Sequence, residues 1–404
     1  MVKAGRVHRT VREAAKYGTV VQGTSLDWAA LIARQRRIVA RLRPPVADLE
    51  KTGARVALGA VRFVDPHTVQ ADGARLQADK IVIAAGSEPV IPGVAGGELG
   101  ITSDQVLFLP EFPDSLVLVG GGVIALEMAG AFADLGSRVT VLGRDAEILP
   151  NLDPDVAGYL RAMLEARGVI FRLDATLERL EGRPGAVTVH ARAGGEALAI
   201  PAAQVCFAIG RRFHPRMVGA ESLGLETAGL GLRVTPYLRT SMPHIYAAGD
   251  AAGNRQLTPV AAAEGKIAAA NALRGDSVRT DEAVIPQAIF TTPEAASVGL
   301  SHRQTEERGI RCEVARHDMR GASNGLASGE DGGYLKLVLD HATGRLIGAQ
   351  MVSYAAAELI QFCALAIRSR MTASAVAEQL SIHPSHGERL VKAFGADLRE
   401  ICEP

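Results

Sequence analysis

The pattern of apolar positions changes character along the chain. Over the first 50 residues it has helical spacing, with a basic stretch first and an arginine-rich stretch over residues 28–42. Pro44 and Pro45 close that second helix because proline cannot continue it. Alternating runs separated by Asp-Pro and Asp-Gly turns then predict short strands over residues 54–58 and 68–70. Residues 80–86 read as a buried parallel-type strand running into a glycine turn, residues 115–119 as an apolar strand, and residues 138–142 as the next strand. A helical segment through Ala133 joins the last two, making a strand–helix–strand unit of about 30 residues. A helix over residues 153–167 and further strands through Ile209 extend it. Past Ile285 strands come first (334–339, 346–352) and helices follow (355–370, 372–379, 387–394), which predicts a separate α+β unit.

Size and charge narrow the class. A chain of 404 residues suits two or three domains, and 48% apolar with 22% charged residues is ordinary for a globular protein. Lys+Arg equals Asp+Glu at 44 each, so no net field draws nucleic acid or an anionic membrane. The longest uncharged apolar run, residues 116–126, is broken by glycines and too short to span a bilayer. The basic start (Lys3, Arg6, Arg9, Arg12, Lys16) also carries Glu13 and little serine, which reads as a surface helix rather than a transit peptide. The expected location is the cytoplasm. Cys206, Cys312, Cys363 and Cys402 form no C-x-x-C or C-x-x-x-x-C, so neither a disulfide framework nor a metal site is expected. Cys206 and Cys363 fall in apolar patterns as core residues, whereas Cys402, near the terminus, is expected to stay available.

The candidate chemistry lies in a few short segments. Gly120, Gly121, Gly122, Val123, Ile124 and Ala125 form a G-x-G-x-x-A turn between a strand and a helix that continues through Leu126 and Glu127. Gly120 permits the tight turn, Gly122 lets the backbone approach a pyrophosphate, and Ala125 allows close helix–strand packing. Where an NAD-selective site carries an acid at the end of the next strand, this chain has Gly143 followed by Arg144. A cation there favours the 2′-phosphate of NADP, and an ordinary solvated arginine is the other reading. Further on, an apolar strand delivers Gly249 and Asp250, whose carboxylate can accept hydrogen bonds from a polyhydroxylated chain. Gln256, Leu257, Thr258 and Pro259 then lead into a helix whose N-terminus suits a flavin's polar edge. Last, His383 precedes a proline and Glu388 lies five residues on, a spacing in which a carboxylate can orient an imidazole for proton transfer. By itself that segment also reads as a polar turn, with His386 incidental.

In this order the segments resemble the class I pyridine nucleotide–disulfide oxidoreductases, flavoproteins that include dihydrolipoamide dehydrogenase, glutathione reductase and mercuric reductase. Residues 81–89 match the family's strand beside the flavin, residues 208–212 its later counterpart, and residues 290–299 the start of its dimerisation domain. The resemblance implies an α/β fold with two Rossmann-like nucleotide-binding domains and a C-terminal α+β dimerisation domain. It divides the chain into an FAD domain at residues 1–113 and 239–283, an NAD(P) domain at 114–238, and a dimerisation domain at 284–404. It implies that Gly120 to Glu127 and Gly210 hold NAD or NADP, that Ala85, Gly86, Ser87, Gly249, Asp250 and Gln256 to Pro259 hold FAD, and that His383 and Glu388 form an acid/base dyad reaching a partner subunit's active site. By that comparison the first strand, flavin glycine turn and redox cysteines fall before residue 1, so the first nucleotide domain is expected to lack roughly 45 residues at its start.

The expected activity is therefore transfer of hydride equivalents between NAD(P)H and a disulfide, dithiol or mercuric-type acceptor through FAD, in a homodimer. Without C-x-x-x-x-C, two other readings stay open: a cysteine-independent flavin reductase or transhydrogenase-like enzyme, and a non-catalytic chain that binds nucleotide and dimerises.

Overall fold

Apolar runs and glycine turns assemble here into two compact units. A computed structural model describes residues 1–281, 283–395 and 399–402. One unit comprises Met1–Ile32, Ile91–Ile209 and Ala283–Pro404, the other Ala33–Val90 and Gly210–Glu282. The expected nucleotide segment 114–238 is thus shared, with residues 114–209 in the first unit and 210–238 in the second.

The first unit contains a five-stranded sheet in the spatial order Ile101–Thr102, Gln204–Phe207, Ser115–Val119, Arg138–Leu142, Ile170–Arg172. Every neighbouring pair in it is parallel. Leu116, Val117, Leu118 and Val119 are all buried, as a strand covered on both faces requires. Helix Val123–Leu135 is apolar nearly all round, and correspondingly both its inward face and its back are buried. The helix Val2–Arg12 covers that back. A Cβ on Gly5 would stand 3.0 Å from the Ala131 carbonyl oxygen, so glycine eases a close approach of the two helices. The buried Asp134 carboxylate beneath it is held by Arg167 at 2.6 and 2.8 Å. A three-stranded antiparallel sheet, Ala175–Arg183, Ala186–Ala193 and Glu196–Ala202, follows in the chain.

The same unit carries a six-stranded antiparallel sheet, ordered Gln287–Ile289, Glu294–Gly299, Leu346–Ser353, Tyr334–Asp340, Cys312–Asp318, Arg399–Cys402. Ile360, Cys363 and Ala366 of helix Ala356–Arg368 pack into its core with Leu335, Leu337 and Met351. One buried cation ties this sheet to the parallel one's helix. Lys336 Nζ lies 3.0 Å from both Asp153 Oδ2 and Asp155 Oδ1. Asp153 stands just before helix Pro154–Glu165 and also accepts the backbone N–H groups of His302 and Arg303, each at 3.1 Å.

In the second unit, strands Val61–Asp65, Thr68–Ala71 and Ala74–Gln77 form an antiparallel meander. Ile81–Ile83 runs parallel to Ile245–Ala247, and Glu88–Pro89 pairs antiparallel with Arg211–Arg212. Helix Thr258–Arg274 packs against the first pair, with Ala268 and Ala272 in one core with Ile83 and Tyr246. Residues 54–58 do not form the expected strand. They have no strand partner, and Leu58 is 69% exposed, so nothing rewards an extended conformation there.

Candidate functional site

The glycines of the turn differ in what they are needed for. Gly120 has φ +125°, and a Cβ on it would lie 2.4 Å from the Ala208 carbonyl oxygen, so any side chain would collide with backbone. Gly121 makes ordinary contact with Ile148. Gly122, the residue that opens helix Val123–Leu135, has nothing within 4 Å of where its Cβ would be. That is the open approach a pyrophosphate needs. Among the described residues no side chain caps this helix start and its first turn carries no acid, so its N–H groups and dipole face outward unneutralised. Ala125 and Leu126 are buried against the sheet, Ile124 is half-buried, and Val123 is exposed. The donor set fits a dinucleotide.

Glu127, one turn along, accepts a hydrogen bond from the Phe290 backbone N–H at 2.9 Å. Burial raises its carboxyl above the usual carboxylate range, against the opposing effect of that N–H. Gly143 is confined, since a Cβ there would come within 2.7 Å of Leu173 Cδ2. The Arg144 side chain is 83% exposed and meets the neighbouring carboxylate of Asp145 at 3.4 Å, so its geometry leaves both readings of it in place.

In the second unit Ser87 and Asp250 meet although they are far apart in sequence. Ser87 Oγ donates to Asp250 Oδ2 at 2.6 Å. Arg211 holds the same serine twice, donating from Nε to Oγ at 3.0 Å and from Nη2 to the carbonyl oxygen at 2.7 Å. The Gln256 side chain in turn donates to the Arg211 carbonyl oxygen at 3.1 Å. Gly86 has φ +71° with open space at its Cβ position, and Ala85 is exposed. Gly249 has φ +64° and sits against Ala261, and its N–H donates to the buried Glu264 at 2.8 Å. Leu257, Thr258 and Pro259 form the uncapped start of helix Thr258–Arg274. Gly210, at φ +116°, accepts from the Val90 N–H at 3.0 Å. A half-buried carboxylate, a hydroxyl and a helix start make a donor set that fits the ribityl and phosphate groups of FAD. Sequence reading placed Arg211 only within a matching segment and missed Glu264, whose signal is a single acid inside an alanine-rich helix.

His383 and Glu388 do pair. His383 Nδ1 is 2.8 Å from Glu388 Oε2, and Lys392 Nζ is 2.5 Å from Glu388 Oε1. The Ser385 hydroxyl caps helix His386–Phe394 by accepting from the Glu388 N–H. The Lys392 hydrogen bond and, after it, the His383 hydrogen bond hold the Glu388 carboxyl below its usual range. With Nδ1 engaged by a carboxylate, the orientation of the imidazole is set.

Two of the cysteines lie in the core as expected, and Cys402 departs from expectation. Cys206 and Cys363 are fully buried, and burial pushes both thiols up to about 12. Cys402 is not freely available: it is half-buried in the last strand, directly opposite Cys312. Spacing in the sequence offered no metal site, yet among the described residues the fold gathers donor atoms of His302, Cys312 and Cys402 within 4.8 Å of one another. Strand pairing brings them together, and spacing cannot show that.

A dinucleotide turn, a second nucleotide-binding network and an antiparallel sheet bearing a His–Glu pair define a flavoprotein oxidoreductase architecture. The chain belongs to the pyridine nucleotide-disulphide oxidoreductases: it matches that family's model over residues 7–265 and the model of its dimerisation domain over residues 285–394. It is 35% identical over 398 residues to a glutathione reductase of Burkholderia cepacia, covering 97% of this chain and 87% of that one. To a dihydrolipoyl dehydrogenase of Geobacillus stearothermophilus it is 32% identical over 400 residues, covering 97% and 85%. Among solved structures it is similar to the HOCl-induced flavoprotein disulfide reductase RclA from Escherichia coli, with a TM-score of 0.82, 26% identity and coverage of 97% and 89%. Members of this family are oxidoreductases that use FAD and NAD(P)H. No helix among the described residues is long and apolar enough to cross a membrane.

Proposed function

We propose that this chain is an FAD-dependent NAD(P)H oxidoreductase working as a homodimer, in which His383, oriented by Glu388, moves a proton to or from the electron acceptor. The observation that carries this reading is the 2.8 Å pairing of His383 Nδ1 with the Glu388 carboxylate, which Lys392 also contacts. FAD, when bound, takes the hydride of NAD(P)H and passes its electrons on. Gly120, Gly121, Gly122, Ala125 and Gly210 would hold the nicotinamide nucleotide, with Arg144 biasing it toward NADPH. Ala85, Gly86, Ser87, Gly249, Asp250 and residues 256–259 would hold FAD. The proposed division of labour is FAD binding by residues 1–113 and 239–283, nicotinamide nucleotide binding by 114–238, and dimerisation by 284–404. Leu380 and Ile382, 97% and 80% exposed beside His383, supply apolar surface that a second copy would cover.

What the 404-residue polypeptide can reduce by itself depends on the cysteines it holds. A disulfide or mercuric acceptor needs a reactive thiol pair, and these 404 residues hold no C-x-x-x-x-C. The flavin-loaded 404-residue polypeptide is therefore expected to oxidise NADPH with a quinone or ferricyanide and to leave disulfides and mercuric ion untouched. His383→Gln should lower quinone turnover about 100-fold, the scale of a lost acid/base group, and spare ferricyanide, which takes an electron without a proton. Equal losses with both acceptors would remove the proton-transfer role. NADPH-dependent reduction of a disulfide by this same polypeptide would overturn the assignment of acceptor.

A further inference from the structure

The pairing of the final strand with Cys312–Asp318 places two thiols face to face and a third donor beside them. Cys312 and Cys402 are directly opposed residues of antiparallel strands, so their side chains project on the same side of the sheet. His302 opens the short helix His302–Glu307. Its Nε2 is buried with no hydrogen-bond partner among the described residues, the Glu306 carboxylate standing off at 3.5 Å. The three side chains each bring a donor atom, and these atoms all lie within 4.8 Å of one another. We propose that His302, Cys312 and Cys402 bind one thiophilic d10 cation, zinc(II) or copper(I).

Distances, charge and surroundings agree with this assignment. Sulfur and nitrogen donors bind zinc at about 2.3 and 2.0–2.1 Å, which sets them about 3.5–3.8 Å apart around a tetrahedral centre. Side-chain adjustments of about 1 Å close the present separation to that geometry. Two thiolates and a neutral imidazole are a soft donor set, and the thiolates cancel the charge of a divalent ion in a place where Cys312 is fully buried. The Thr305 hydroxyl lies 3.3 Å from Cys312 Sγ and can fix its orientation as an outer partner. Asp153 anchors the backbone of His302 and Arg303 and so sets where the imidazole starts.

Binding balances as one cation taken up and two thiol protons released, with no redox change. Burial first, and then the neighbouring Cys312, push Cys402 up to about 11. Metal coordination, by contrast, removes the protons outright. The consequence for the fold is a clip that fastens the last strand to the edge of the six-stranded sheet.

The test uses the full 404-residue protein, reduced with a phosphine, stripped with a chelator and desalted. Zinc(II) is titrated against a chromophoric chelator in one arm and copper(I) against a copper(I)-specific chelator in the other. Cobalt(II) serves as the spectroscopic probe. The expected result is one cation per chain, release of two protons, thiolate-to-cobalt charge-transfer absorption, and a higher melting temperature with the bound metal. The arm with the tighter competition constant identifies the cation. Cys402→Ser, at the sheet edge, should weaken binding at least about 100-fold, and His302→Gln at least about 10-fold. Because Cys312→Ser removes a core side chain and can disturb folding, Cys402→Ser carries the decision. The proposal is overturned by no stoichiometric binding tighter than micromolar, by unchanged affinity in Cys402→Ser, or by a metal-free protein in which Cys312 and Cys402 are isolated as a disulfide under the reducing protocol.

Discussion

The two regions proposed to bind nucleotides would hold their ligands by different means. At residues 120–125 the work falls to backbone: a strand ends, the chain turns through glycines at close quarters with Ala208, and a helix presents N–H groups. In the region of Ser87 and Asp250 it falls to side chains drawn from segments more than a hundred residues apart, with Arg211 and Gln256 bracing a serine and a carboxylate. A backbone site depends on the absence of atoms. A side-chain site depends on which atoms are present, and it degrades in steps.

That contrast predicts a ranking. Gly120→Val should do the most damage, since its Cβ would lie 2.4 Å from a carbonyl oxygen at a φ that side chains avoid. Strain and overpacking of about 1–3 kcal/mol each should lower the melting temperature by many degrees and abolish measurable NAD(P)H binding. Asp250→Ala should leave the fold intact and reduce FAD affinity about 10- to 100-fold, the scale of a lost charge-assisted hydrogen bond, read as flavin retained after gel filtration. Ser87→Ala should cost about 1 kcal/mol of flavin affinity, several-fold in dissociation constant. If Ser87→Ala emptied the protein of flavin as completely as Gly120→Val abolished nicotinamide binding, the stepwise picture would be wrong. Smallest of all, Arg144→Glu should leave stability unchanged, because an exposed ion pair contributes little, and shift the NADPH-to-NADH preference by about tenfold. An unshifted preference would return Arg144 to the solvated surface.

What the sequence made legible follows the same division. Gly120, Gly122 and Ala125 form a local pattern, and the strand–helix–strand unit around them lies within a residue or two of its expected limits. His383 and Glu388 are five residues apart and meet as expected, because one helix start positions both. Asp250 was legible as the end of an apolar strand, but its contact with Ser87 was not, since only the parallel pairing of Ile81–Ile83 with Ile245–Ala247 brings them together. Glu264 reads as an ordinary helix acid until the fold buries it beneath Gly249. Cys312 and Cys402 carry no signal at all in their spacing, because an antiparallel register decides their neighbourhood.

Lys336 sets a condition on how this chain can be taken apart. Its ammonium is 3% exposed in the six-stranded sheet, while both carboxylates that neutralise it, Asp153 and Asp155, come from the stretch that follows the dinucleotide turn. Cut at residue 284, the C-terminal piece would lose both counterions of Lys336 together with helix Pro154–Glu165, which packs against its strand, leaving an ammonium and an apolar face uncovered. The boundary that looks cleanest along the chain is therefore a poor place to divide it. An exchange of C-terminal sheets between relatives should succeed only where the incoming sheet brings its own cation to meet Asp153, or where both are replaced together.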